Sequence, residues 1–106
     1  MNNNIDIRVN IRIRWYKTSE GGRETIPKGP IYGANVRFGN DPNLWSIVLI
    51  LKDSIPDEQG FQVLNAGFLF PQKIKKYLTA GQRIIISEGP TRVVAEGEIL
   101  GNWNNS

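Results

Sequence analysis

The chain of 106 residues contains no cysteine and no histidine, and each absence excludes a class of chemistry. Without cysteine the protein has no disulfide bonds and no thiolate nucleophile, and without either residue the usual zinc sites cannot form. Histidine is the side chain whose unperturbed pKa lies closest to neutrality, so the commonest general base is missing as well. The phosphate-binding pattern GxxxxGK[ST] does not occur either, which sets GTP hydrolysis aside.

The sequence also lacks a long apolar run and a large net charge. No stretch approaches the roughly 20 apolar residues of a membrane-spanning helix, and residues 1–4 lack the basic and apolar blocks of a secretory signal. We therefore expect no membrane partner and a cytoplasmic location. The formal charge of +3 is too small to indicate a nucleic-acid-binding protein, but it is unevenly distributed. Residues 1–37 carry seven Lys or Arg against three acidic residues, and residues 71–87 carry four with no acidic residue.

What the sequence does contain is a series of short β-strand patterns separated by turns. The first strand is predicted over 5–16, where apolar residues at odd positions alternate with polar residues without a break. The segment 17–30 has paired glycines and two prolines, so it is predicted as a long loop. Further strands are predicted over 31–38, 44–51, 61–70, 83–88 and 91–100, with at most a short helical turn near 73–78.

Six strands joined by short turns predict an all-β fold, a closed or nearly closed six-stranded antiparallel barrel of the Greek-key type. With 40% apolar residues there is enough material for a single core, so residues 5–100 are predicted to form one domain. Residues 1–4 and 101–106 are predicted as disordered tails. In the last strand, alternation places Ala95 on one face and Val94 on the other. The aromatic residues at inward positions are expected in the core, and they are Trp15, Phe61, Phe68 and Phe70.

Four motifs along the chain resemble the third, C-terminal β-barrel domain of elongation factor Tu. They are Glu20, Gly21, Gly22 and Arg23 followed by Pro27; the strand Tyr32–Phe38; Phe68–Pro71; and the closing hairpin within Gly81–Ile99. Their order and spacing agree with that family from Ile5 to Leu100. The resemblance implies the same six-stranded barrel, as a standalone domain without the GTPase domain.

In that family the loop and hairpin at these motifs lie along the T stem of aminoacylated transfer RNA. The resemblance therefore implies Arg23, Asn35, Glu88 and Gly89 as contacts to RNA or to a partner. This chain departs from the family pattern where Glu24 replaces a basic residue after the loop arginine. It also departs in the second strand, where the family usually reads Tyr, Arg, Pro, Gln and this chain reads Tyr, Gly, Ala, Asn at 32–35.

Three arginines of the first strand allow two interpretations. Arg8, Arg12 and Arg14 lie on one strand face at a repeat of about 6.6 Å per two residues, close to the phosphate spacing of nucleic acids. Alternatively, this strand pairs with the last one, whose Glu96 and Glu98 would form cross-strand ion pairs with the arginines. We favour the ion pairs. Lys73, Lys75 and Lys76 likewise form either a docking patch or the solvated face of a short helix.

The strand over 44–51 is apolar on both faces, which a barrel wall cannot bury by itself. One stripe contains Trp45, Ile47 and Leu49, and the other contains Leu44, Val48 and Ile50. An apolar outer face on an isolated barrel indicates a protein interface, formed with another protein or with a second copy of the chain. We assign Trp45, Ile47 and Leu49 to this interface.

These observations favour a binding protein over an enzyme, with no cofactor and no metal. The remaining enzymatic option is carboxylate chemistry, but the carboxylates concerned fall in a turn or on a predicted outer face; they are Asp53, Asp57, Glu58, Glu96 and Glu98. We expect a non-catalytic module that binds a protein partner, with RNA of the translation machinery as a further partner class. The alternative is a standalone inhibitor or immunity-type protein that uses the barrel as a scaffold, unrelated to translation.

Overall fold

The computed structural model describes residues 8–52 and 54–102, which form a closed six-stranded antiparallel β-barrel. The strands are β1 (Arg8–Trp15), β2 (Ile31–Phe38), β3 (Trp45–Ile50), β4 (Phe61–Phe68), β5 (Arg83–Glu88) and β6 (Arg92–Asn102). Their order around the barrel is β1-β4-β3-β2-β5-β6, and β6 closes on β1. One short helix, α1 (Pro71–Ile74), continues into a 3₁₀ turn at Lys75–Tyr77, and a second 3₁₀ turn lies at Thr18–Glu20. The predicted all-β barrel is confirmed.

The strand bounds agree closely with the prediction in the middle of the chain. β2 and β5 have the predicted bounds, while α1 begins at Pro71, two residues before the predicted helical turn. Proline is well tolerated there because the first helical N–H needs no partner within the helix. β6 runs on to Asn102, so the first two residues of the predicted C-terminal tail belong to a strand. Residues 1–7 and 103–106, which contain the rest of the predicted tails, lie outside the described residues.

The core is formed by the inward faces of the strands. Along β1 the odd-numbered residues from Val9 to Trp15 are all buried, as the alternation predicts. Phe38 and Phe68 meet in the core with ring centroids 6.0 Å apart, and Tyr77 stacks on Phe38 at 4.6 Å. This packing fixes the short helical segment against one end of the barrel.

Several predicted side-chain positions are wrong. Ile47 and Leu49 are fully buried in the core and Trp45 is half-buried against it, so Ile47 and Leu49 cannot contact a partner as predicted. The outward stripe of β3 is the other one. Conversely, Phe61 and Phe70 are 41% and 54% exposed rather than buried.

In β6 the simple alternation also fails, since Val94 and Ala95 are both buried. The register shifts between the pairs Ile86–Ala95 and Ser87–Val93, so Val94 is an additional residue in its strand. A β-bulge of this kind turns the following side chains to the opposite face.

The two ends of the barrel differ, and we name them by what covers them. The helix end carries α1, the start of β1 and the end of β6. The loop end carries the loop 16–30, the turn formed by residues 51–52 and 54–60, and the hairpin tip 89–91. Among the described residues, β2 pairs with β5 only over Asn35–Phe38, and β3 pairs with β4 only over Ile47–Ile50. Both pairings stop before the loop end of β2 and β4. The first halves of β2 and β4 therefore lack one strand neighbour, and the loop and turn lie beside them.

Candidate functional site

The candidate site lies at the loop end, where the paired glycines set the path of the loop. Gly21 ends the 3₁₀ turn with φ of 90°, a conformation that favours glycine. Gly22 is required for a different reason, because a Cβ there would lie 2.2 Å from the carbonyl oxygen of Tyr16. Together the two glycines bring the loop back onto the end of β1 and place Arg23 over the barrel.

Arg23 belongs to a charged cluster that bridges the loop and the last hairpin. Glu88 accepts hydrogen bonds from Arg23 and from the Tyr32 hydroxyl through the same oxygen. Arg92 approaches the other oxygen of Glu88 at 3.8 Å and donates to the Gly22 carbonyl at 3.3 Å. The guanidinium of Arg23 also lies over the Tyr32 ring, 5.7 Å from its centroid. The cluster closes the wall beside the first half of β2.

The electrostatics of this cluster keep its charges fixed. The hydrogen bond from Tyr32 and the one from Arg23 lower the pKa of Glu88 below its usual range. Burial, followed by the hydrogen bond to Glu88, raises the pKa of Tyr32. Glu88 therefore remains an anion and Tyr32 a donor at neutral pH. Because Glu88 accepts from one nitrogen of Arg23 and the Thr25 carbonyl accepts from another, a phosphate group at the arginine would compete with an adjacent carboxylate.

The residues implied by the elongation factor resemblance are partly brought together. Arg23 and Glu88 form one ion pair, and Gly89 follows at the hairpin tip with φ of 71°. Asn35 pairs with Ser87 in the ladder between β2 and β5, one position from Glu88. The residues thus lie at one end of the barrel, with the two charged side chains facing each other.

The arginines of β1 lie on the outer wall, where acidic residues accompany them. β1 does pair with β6, and Arg12 contacts Glu98 at 2.7 Å, as the favoured interpretation predicts. Arg14 lies opposite Glu96 in register but binds Glu20 through two hydrogen bonds of 3.0 Å. Glu96 is instead paired with Arg83 at 2.9 Å. Arg8 is opposite Gly67 at the start of the strand. Arg12 and Arg14 are thus compensated by carboxylates.

Acid should weaken the fold through Glu20. The hydrogen bonds from Arg14 and from the backbone of Lys17 lower the pKa of Glu20 to about 2, from 4.5. This folded-state pKa is below the unfolded one, so the stabilisation is present above about pH 4.5 and is lost as the pH falls toward 2. We expect the urea midpoint, followed by circular dichroism, to fall over this range, and Glu20→Gln to show a shallower fall. Identical pH profiles of the two proteins would contradict this role.

The loop end contains an apolar groove of about 840 Å³ between the loop and the turn. Its lining residues are Ile26, Pro27, Lys28, Gly29, Pro30, Leu51, Lys52, Ser54, Ile55, Pro56 and Gln62. The backbone N–H groups of Leu51 and Lys52 both donate to the Pro30 carbonyl, at 2.8 and 3.3 Å. These bonds tie the two walls together, so the groove is formed by segments that are fixed to each other.

A hydrogen-bond network forms the floor of the groove, and its bond between Trp15 and Gln62 is buried. Gln62 accepts from the Trp15 indole N–H at 2.8 Å and donates to the Ser54 carbonyl at 3.1 Å. The Ser54 hydroxyl donates in turn to the Val63 carbonyl at 2.8 Å. These bonds take the place of strand pairing beside the first half of β4, and they support the groove on the core.

The rim of the groove exposes apolar side chains. Ile55 is 86% exposed, and Ile31, directly after Pro30, is 62% exposed. Sequence patterns do not predict this site, because they mark 17–30 as a loop and 52–60 as a turn without connecting the two segments. The hairpin register that pairs Ile31 with Ile50 brings them together. Isolated isoleucines within loops otherwise rich in polar residues and prolines are the one signal of the site in the sequence.

Three of the five carboxylates considered for catalysis are engaged in structural roles. Asp57 accepts hydrogen bonds from the backbone N–H groups of Gln59 and Phe61 and thereby caps its turn. Glu96 and Glu98 are paired with arginines as described above, while Asp53 lies outside the described residues. Within 8–52 and 54–102, no group of three acidic side chains is placed to hold a metal ion.

Comparison with known proteins adds no family or relative. In the part of the chain that the structure describes, no helix is both long and apolar enough to cross a membrane. No protein-family model matches the sequence. No curated protein matches it either.

Proposed function

We propose that this protein is a non-catalytic binding module whose partner is a protein, bound at the groove of the loop end. The observation that carries the proposal is the apolar groove of about 840 Å³ with Ile55 86% exposed on its rim. Exposed large apolar side chains beside a concavity are typical of interaction sites. A groove of this size is large enough to receive apolar side chains of a partner segment.

The charge of the groove defines the partner further. Its charged lining residues, within the described part of the chain, are Lys28 and Lys52, and neither takes part in an ion pair there. A complementary segment therefore carries carboxylates on either side of an apolar anchor. Such an arrangement uses the apolar contact for affinity and the lysines for orientation and specificity.

A protein partner fits this end of the barrel better than RNA does. Three of the four cationic side chains that the resemblance and the first strand suggested for RNA are ion-paired, Arg12 with Glu98, Arg14 with Glu20, and Arg23 with Glu88. A phosphate at these positions would compete with a neighbouring carboxylate. The elongation factor resemblance remains compatible with a partner from the translation machinery, in the cytoplasm, and an inhibitor or immunity-type protein would use the same groove against another target.

Selection of random peptides displayed on phage tests the proposal even though the partner is unidentified. We expect peptides selected on the wild-type protein to be enriched in a large apolar residue flanked by Asp or Glu. Ile55→Asp should weaken a selected synthetic peptide about tenfold or more, measured by isothermal titration calorimetry, because it removes the exposed anchor contact. Since Ile55 is almost fully exposed, this variant should fold normally.

Leu100→Asp is the matched control, because Leu100 is also an exposed apolar residue but lies near the end of β6, away from the groove. It should bind the selected peptide as the wild-type protein does. Lys28→Glu should weaken the peptide, and the loss should shrink at high salt. The proposal is wrong if the selected peptides show no acidic enrichment, or if Ile55→Asp leaves peptide binding unchanged. It is also wrong if the protein binds transfer RNA through the loop end.

A further inference from the structure

The helix end of the barrel presents a second surface, which is basic and aromatic. Lys73, Lys75 and Lys76 are exposed on α1 and the 3₁₀ turn that follows it. Residues 71–87 contain no acidic residue, and none of the three lysines forms an ion pair with another described residue. The positive charge of this patch is therefore not neutralised by ion pairs within the described residues, in contrast to the outer face of β1, where carboxylates pair with the arginines.

An exposed aromatic ring lies within the same surface. Phe70 directly precedes α1 and is 54% exposed, although strand alternation predicts it in the core. It lines a pocket of about 240 Å³ together with Leu44, Trp45, Ser46 and Lys73. Two aromatic side chains and one lysine thus border a single small concavity. This combination of groups suits a ligand that has a flat, partly apolar ring and a negative charge close to it.

The support beneath the patch is rigid. Ile74 and Leu78 are buried in the core, and Tyr77 stacks on Phe38. The Tyr77 hydroxyl donates to Asp41, and the Lys76 ammonium lies over the Tyr77 ring at 5.2 Å. Lys76 is thereby held beside Asp41, the acidic group that faces the patch from the turn after β2. Lys73 is left as the principal cationic group beside Phe70.

We infer that this patch binds single-stranded nucleic acid, with one base against Phe70 and a neighbouring phosphate at Lys73. Sequence-tolerant binding of single strands combines aromatic stacking platforms with lysines that follow the backbone. A lipid surface fits less well, because the helical segment spans only Pro71–Tyr77 and cannot present a long apolar face.

Fluorescence anisotropy with a labelled oligouridine RNA of about 12 nucleotides tests this inference, because such a strand has little structure of its own. We expect measurable binding that weakens steeply with salt. Phe70→Ala should weaken it about tenfold, while Phe70→Tyr should retain it, since stacking needs only the ring. Lys73→Glu should reduce the slope of log affinity against log salt by about 0.7 or more.

Lys28→Glu is the matched control, because it changes the net charge by the same amount as Lys73→Glu. Since Lys28 lies at the loop end, this variant should leave oligouridine binding nearly unchanged. The groove peptide supplies the reverse control, since it should bind Phe70→Ala like wild type. The inference fails if a duplex or polyglutamate competes as well as oligouridine, because binding would then require no exposed base. It also fails if uridine monophosphate alone competes equally, or if Phe70→Ala binds as tightly as wild type.

Discussion

Gly97→Ala should destabilise this protein strongly, because the substitution forces apart two strands at the seam where the barrel closes. Gly97 lies in β6 opposite Ile13 of β1. A Cβ at this position would lie 1.9 Å from the Arg12 carbonyl oxygen and 2.7 Å from the Ile13 Cα. Both are backbone atoms, so no side-chain rotation relieves the contact and the two strands must separate. We expect the free energy of unfolding to fall by about 3–5 kcal/mol.

Urea unfolding followed by far-ultraviolet circular dichroism measures this loss. Gly33→Ala is the matched control, because Gly33 is also a strand glycine but has open space where a Cβ would be. Its stability should remain within about 0.5 kcal/mol of wild type. A Gly97→Ala protein as stable as the control would mean that β1 and β6 do not approach as closely as described.

Trp15→Ala should have a comparably large effect, and it should affect the groove as well as the core. Trp15 is buried, its ring meets Tyr32 edge-on at 5.8 Å, and its N–H donates to Gln62 at 2.8 Å. Truncation leaves a large cavity and an unsatisfied buried amide oxygen, for a combined loss of about 3–5 kcal/mol. Because Gln62 forms the groove floor, peptide affinity should fall even under conditions where the variant remains folded.

Trp15→Phe separates the two contributions. It keeps most of the ring packing but loses the hydrogen bond to Gln62, so a loss of about 1–2 kcal/mol is expected. Circular dichroism is the suitable probe, because the chain has three tryptophans and fluorescence would change with the substitution itself. If Trp15→Ala unfolds at the same urea concentration as Trp15→Phe, the indole does not fill the end of the core as described.

The fold could be predicted from the sequence because its strongest pattern is local. Alternation along β1 depends only on neighbouring residues, and glycine and proline clusters mark where β2 and β5 begin and end. β3 shows the limit of this reasoning. Both of its faces are apolar, so the pattern alone could not tell that Ile47 and Leu49 point inward. The bulge at Val94 is similarly invisible, since an additional residue does not change the composition of a strand.

The candidate site was harder to predict because its parts are distant in the sequence. The elongation factor resemblance points to both Arg23 and Glu88, yet their contact joins positions 65 residues apart. The groove depends on the pairing of β2 with β3, which places Pro30 beside Leu51. Strand alternation predicts Phe70 in the core only when it is extended past Phe68, where β4 ends. In each case the missing information was which segments become neighbours in space.

The incomplete strand pairing at the loop end also determines how the molecule can move. Around the helix end, backbone ladders join every strand to two neighbours, and opening them would break many hydrogen bonds at once. At the loop end, the wall beside the first halves of β2 and β4 is completed by side chains, through Glu88 in one place and Gln62 in the other. Local opening there breaks few bonds and leaves the core ladders intact. Local opening of the barrel should therefore begin in this wall, at the first halves of β2 and β4, while the walls of the groove stay tied together at Pro30.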